Sequence, residues 1–184
     1  MSEIQDAEVA LNALELQYRD RHTQLLRVDA WNKIIGLCSN TISELDSIDV
    51  GSESDRVRIR ILSDQAYAYG QIDEYQSSVE ILRKAHAISV AANLELYDLT
   101  SVKIDLATAL GLTRCFDESA KLIAEVVMLC TRDDKVPVLA TFMVRFHSKV
   151  ADSFAVSEIL KRTWTILGQR KELSTCVKGK RIEE

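Results

Sequence analysis

A single proline, Pro137, interrupts 184 residues, and the glycines total six. A chain with so little punctuation cannot supply the frequent turns of an all-β fold. Its apolar residues recur instead at helical spacing. The clearest stretch is Leu62 to Asn93. Leu62, Ala66 and Tyr69 line one face of a helix, and Gly70 offers the backbone freedom of a helix end. Asp73 and Glu74 then read as the acidic first turn of a second helix, whose apolar stripe is Tyr75, Val79, Leu82 and Ile88.

The same plan returns further on. Leu106, Ala109 and Leu110 form a first stripe, and Gly111 to Cys115 form a turn. Asp117 and Glu118 open a second helix with Ala120, Ile123, Val127 and Cys130 on one side. Ile72-Asp73-Glu74 aligns with Phe116-Asp117-Glu118 at an offset of 44 residues. A fainter third copy spans Pro137 to Leu167, with Ser157, Leu160, Trp164 and Leu167 as its stripe. Helix pairs recurring at roughly 34 to 47 residues mark an α-solenoid. One pair cannot bury its stripe alone, so neighbours must stack. The expected fold is therefore all-α, an α-solenoid of stacked antiparallel helical hairpins with about eight helices. A plain helical bundle is the competing architecture.

The rest of the chain fits that plan. One helix is expected over Glu3 to Leu26 and another over Asp29 to Ile48, with Trp31, Ile34, Ile35, Cys38, Ile42 and Leu45 as a core stripe. The polar run from Ser47 to Asp55 reads as a loop around Gly51, with Asp55 as a helix cap. Further helices are expected over Val57 to Tyr69, Leu99 to Gly111 and Ser153 to Gly168, and Pro137 suits the first turn of another. Residues 1–168 then form a single domain. Residues 169–184 form a basic segment, frayed or a short helix.

Net charge is −5 and the pI near 5.3, which disfavours broad nucleic-acid binding. No window approaches the roughly 18 uninterrupted apolar residues of a membrane span. The start, MSEIQDAEV, lacks a signal-peptide pattern. Cys38, Cys115, Cys130 and Cys176 are scattered, without a CxxC pair, and read as thiols of a reducing compartment, cytoplasmic or nuclear.

No catalytic constellation emerges. His22, His86 and His147 are isolated, and HExxH, glycine-rich phosphate loops and GxSxG are absent from the sequence. The expectation is a non-catalytic chain without cofactor or metal.

Gly70 to Ala85, GQIDEYQSSVEILRKA, resembles the turn and second helix of a tetratricopeptide repeat. Gly70, Asp73, Glu74 and Val79 match the family pattern, as do Phe116, Asp117 and Glu118. Ile72 replaces an aromatic residue, and Tyr75 and Ser119 occupy positions usually held by a small alanine. The resemblance covers about Val57 to Leu167, and its long helices are similar to the LGN/Pins and kinesin-light-chain types. Those scaffolds hold extended peptides of partner proteins in a concave groove. Their first helices often use an asparagine for this, where Ser63 and Ala107 stand here. The resemblance implies that Arg60, Asp64 and Tyr67 line such a groove, joined by Thr108 and Arg145 from the following pairs. Arg60 and Asp64, four apart, would also pair on one face. The function expected is an adaptor holding a segment of another protein. The alternatives are a structural subunit whose apolar end helices pack on a second copy, and an LGN/Pins-like spindle-orientation adaptor.

Overall fold

The computed structural model describes residues 3–48, 50–132, 141, 143, 144, 146 and 153–180. Among them every regular element is a helix. These are α1 (Glu3–Leu26), α2 (Trp31–Leu45), α3 (Ser52–Gln71), α4 (Tyr75–Ala91), α5 (Leu96–Leu112), α6 (Phe116–Arg132) and α7 (Ser153–Lys180). The fold is all-α, and neighbouring helices pack against one another. The chain divides into two compact units, Met1–Val102 and Lys103–Glu184, with the boundary inside α5. The third expected hairpin opens at Pro137, outside the described residues.

The hairpins are closed by one recurring device. Asp29, Asp73, Asn93 and Arg114 take left-handed backbone, with φ of 49, 61, 48 and 62°. The following N–H, of Ala30, Glu74, Leu94 and Cys115, donates to the carbonyl five residues back at 2.8 to 3.3 Å. Each left-handed residue donates its own N–H to the carbonyl three residues back. This is the Schellman closure, which satisfies carbonyls that the helix end leaves without partners. Three of the four closures stand two residues before an aromatic residue that opens the next helix: Trp31, Tyr75 and Phe116.

That register corrects the sequence reading of the repeat. Gly70 lies inside α3, and the reversal falls on Asp73. Asp73 and Glu74 precede α4, whereas Asp117 and Glu118 occupy the first turn of α6. The structural equivalent of Asp73 is thus Arg114, and Tyr75 corresponds to Phe116. An aspartate can take left-handed backbone because its short polar side chain bonds locally. Here the Asp73 carboxylate accepts the Tyr75 hydroxyl at 2.7 Å.

Several helix limits also move. α3 starts at Ser52, with Gly51 at the cap position in left-handed backbone (φ 59°) and Asp55 inside the first turn. The Ser54 hydroxyl donates back to the Gly51 carbonyl at 2.8 Å, so the expected Asp55 cap is not used. α5 begins at Leu96, ahead of the expected Leu99. α7 runs past Gly168 to Lys180, because one interior glycine costs only about 1 kcal/mol relative to alanine.

In the first unit, α1 packs on α2, α2 on α3 and α3 on α4. Leu11, Leu14 and Tyr18 of α1 meet Ile34, Cys38 and Leu45 of α2 and Val57, Ile61 and Ala68 of α3. Trp31 packs against the edge of this cluster, as its place at the head of the α2 stripe predicts. On the other side of α3, Ile59 and Leu62 meet Ala85 and Val102. Full burial of such aliphatic side chains contributes about 1.5–3 kcal/mol each.

In the second unit, α6 packs on α7. Its buried residues include Ile104, Leu110, Ile123, Val126 and Ile159. The Ser119 hydroxyl donates to the Ala107 carbonyl at 2.7 Å, tying α6 to α5. Lys103 is buried and ion-paired with Glu125. The buried face of α7 is Ala155, Val156, Ile159 and Thr163, not the expected row through Trp164, which is 70% exposed. Thr163 can lie inside because its hydroxyl donates to the Ile159 carbonyl at 2.9 Å.

Candidate functional site

α3 buries most of its circumference, including Val57, Ile59, Ile61, Leu62, Gln65, Ala66 and Ala68. One row of its side chains still reaches solvent: Glu53, Arg56, Arg60, Asp64 and Tyr67, spaced three or four apart. Three of the expected groove residues, Arg60, Asp64 and Tyr67, therefore share one strip of the first unit. Thr108 does not belong to any such surface. It is 5% exposed, and its hydroxyl donates to the Ile104 carbonyl at 2.7 Å within α5. Arg145 lies outside the described residues.

The upper part of the row is electrostatically engaged. The Arg56 guanidinium lies 3.5 Å from Glu53, 3.5 Å from Glu95 and 3.8 Å from Asp98. Arg60 reaches across to Glu15 of α1, so the ion pair expected with Asp64 gives way to one between helices. Each of these four pairs has at least one substantially exposed partner and is screened, and each is worth under about 1 kcal/mol. At the lower end the Tyr67 ring, 46% exposed, meets the Trp31 ring edge-on with centroids 5.8 Å apart. The two rings form an aromatic ledge with polar edges on a largely apolar body.

Asp64 belongs to a different environment. Its carboxylate accepts the Tyr18 hydroxyl at 2.8 Å and lies 4.0 Å from His22 Nε2. The His22 ring stacks on Tyr18, with centroids 5.4 Å apart. The Tyr18 oxygen also stands 3.4 Å from the Cys38 sulfur. Because the single Tyr18 proton goes to Asp64, the Cys38 thiol is the donor in that contact. Tyr18, Cys38 and Asp64 come from α1, α2 and α3, so the chain of hydrogen bonds fastens three helices at one point.

Burial sets the protonation of this cluster. Desolvation, with the Asp64 charge nearby, raises the Tyr18 hydroxyl well above its ordinary range. Desolvation likewise pushes the Cys38 thiol up to about 12. Burial also raises the Asp64 carboxyl, against the hydrogen bond from Tyr18 and the nearby His22 and Arg60. Near neutral pH Cys38 is a thiol rather than a thiolate, and it lacks the activation of a nucleophilic cysteine. Among the described residues no group of three His, Cys, Asp or Glu side chains could hold a metal ion.

Little in the linear pattern announces this cluster. Tyr18 and His22 stand one helical turn apart, which places them on one face of α1. Cys38 reads as an ordinary core residue, and nothing linear connects it to Asp64. Elsewhere Cys130 is buried and Cys115 exposed.

Among the described residues no helix is long and apolar enough to cross a membrane. Comparison with protein-family models, with curated proteins and with solved structures gave no match.

Proposed function

We propose that this chain is a non-catalytic, tetratricopeptide-like adaptor that holds an extended segment of a partner protein along α3. The observation behind this reading is the row Arg60, Asp64 and Tyr67: a helix packed on several sides that still presents a guanidinium and a phenol to solvent. Arginine and tyrosine are among the residues that dominate interface energies. A segment suited to this strip places a carboxylate against Arg60, displacing Glu15, and an apolar side chain on the Trp31–Tyr67 ledge. The repeated hairpin closures at Asp29, Asp73 and Arg114 support the tetratricopeptide-like assignment. The scattered cysteines favour a cytoplasmic or nuclear setting.

The test is selection of peptides from a random display library, followed by fluorescence anisotropy on the winners. Arg60→Glu with Tyr67→Ala is expected to weaken binding at least about tenfold, or about 1.4 kcal/mol, with an unchanged helical melt. Both residues are exposed, so folding should survive the changes. Equal binding by the double variant would remove the α3 row from the reading.

A further inference from the structure

The exposed row of α3 has an order along the helix that a bound segment must match. From the N-terminal end it presents Arg56, Arg60, Asp64 and Tyr67. At about 1.5 Å per residue, Arg56 and Arg60 stand about 6 Å apart along the axis, and Arg60 and Tyr67 about 10.5 Å. Side chains on one helix lean the same way, so these intervals carry over to the surface. An extended segment advances about 3.3 Å per residue. Two of its residues span the first interval and three span the second.

Each station on the row has its own charge. Around Arg56 stand the carboxylates of Glu53, Glu95 and Asp98, and one guanidinium among three carboxylates leaves an excess of negative charge. Their separations of 3.5, 3.5 and 3.8 Å are long beside the about 2.7–2.9 Å of a well-formed charge-assisted hydrogen bond. The Arg56 Nε is buried without a hydrogen-bond partner. The acids are thus loosely held, and the Glu53 and Glu95 side chains are 58 and 80% exposed. Arg60 faces a single carboxylate, that of Glu15. Asp64 already accepts the Tyr18 hydroxyl, and Tyr67 closes the row beside Trp31.

We propose that the partner segment carries a mixed-charge motif: a lysine or arginine, an acidic residue two positions on, and a bulky apolar residue three positions further, in order along α3 from Arg56 to Tyr67. This rests on the adaptor reading of the α3 row and specifies its ligand. The cation seats among Glu53, Glu95 and Asp98, the carboxylate on Arg60, and the apolar side chain on the Trp31–Tyr67 ledge. Charge complementarity selects this pattern. A uniformly acidic segment is repelled at the Arg56 station, and a uniformly basic one at Arg60. The segment residue over Asp64 is not acidic, for the same reason. The intervals are the same for either chain direction, so the motif and its reverse are the two sequences to compare.

The test is fluorescence anisotropy on the full chain with two labelled synthetic peptides, Lys-Ser-Glu-Ser-Ser-Leu and its reverse, each flanked by Gly-Ser. One of them is expected to bind with a Kd of about 10–500 micromolar. Moving its Glu by one position, or exchanging its Lys and Glu, should weaken binding at least about fivefold. Arg60→Glu should reverse the preference at the Glu position, so that a peptide with Lys there becomes the tighter ligand. Glu53→Lys with Glu95→Lys should make Glu the better residue at the Lys position. These residues are exposed, so the helical melt should not change. Binding that is lost with Arg60→Glu and Tyr67→Ala but indifferent to the placement of Lys and Glu overturns the motif and leaves the adaptor row standing. Equal binding by the wild type and every variant overturns the row and the motif together. No binding of either peptide below about a millimolar overturns the motif, and the random library then decides the adaptor reading separately.

Discussion

Tyr18 is the residue on which most of the first unit's polar chemistry converges. Its hydroxyl serves Asp64 and Cys38 at once, and its ring carries His22. Tyr18→Phe would keep the ring and remove the oxygen, leaving the Cys38 thiol and the Asp64 carboxylate short of a partner. The expected cost is about 1–3 kcal/mol, read as a lower urea midpoint with an unchanged slope. Asp64 supplies a second, pH-dependent prediction. Its carboxyl holds a proton more readily in the fold than in the unfolded chain. Between the ordinary carboxylate value and the raised one, the folded state therefore binds more protons. Stability from this group is complete below the ordinary value and declines as pH rises through the raised one. Asp64→Asn should remove that decline. Urea unfolding of both proteins across the acidic to neutral range would show their stability difference shrinking or reversing as pH rises; a constant difference would mean that Asp64 titrates normally.

At the scale of the element, the helix ends govern where this chain turns. Four ends close through left-handed residues, and none of the four is glycine. Arg114 is the most strained choice, since arginine has neither glycine's freedom nor the local hydrogen bonding of Asp or Asn. Arg114→Gly should raise the unfolding midpoint, by about 0.5–1 kcal/mol of added stability, while Arg114→Val should lower it. This also explains what was legible beforehand. Helices that carry a strong apolar stripe, such as α2 and α6, stood out in the sequence, and α1 was delimited at both ends. The first turn falls on Asp73 rather than on Gly70, because a Schellman closure can be made by an aspartate, whereas the closure at Arg114 lies within the expected Gly111–Cys115 turn. The buried face of α7 was missed because Thr163 reads as polar and Trp164 as core. In the site, the α3 row followed from helical spacing, but Thr108 carried no sign that α5 is buried nearly all round. The Tyr18–Asp64 contact joins residues 46 positions apart, a separation that no local pattern encodes.

At the scale of the whole molecule, the chain divides into two compact units, each with fully buried side chains. Ile34 and Ile61 are fully buried in the first, Ile123 and Ile159 in the second. In helical repeat proteins stability is nearly a sum over repeats and nearest-neighbour contacts, so separate regions can open at different free energies. Ile34→Ala removes buried atoms from the α1–α3 cluster and Ile123→Ala removes them from α6. Each should cost about 2–4 kcal/mol locally, depending on how far the cavity collapses. Native-state hydrogen exchange distinguishes local from global loss. Ile34→Ala is expected to lower protection of the α1–α4 amides more than those of α6, and Ile123→Ala to do the reverse. Such a split would also mean that a single unfolding midpoint misstates the stability of this chain, because its transition is not two-state. Equal loss of protection in both units from either substitution would show instead that the chain opens as one cooperative body. In that event the Tyr18→Phe and Arg114→Gly effects, read from different units, should add on the same transition.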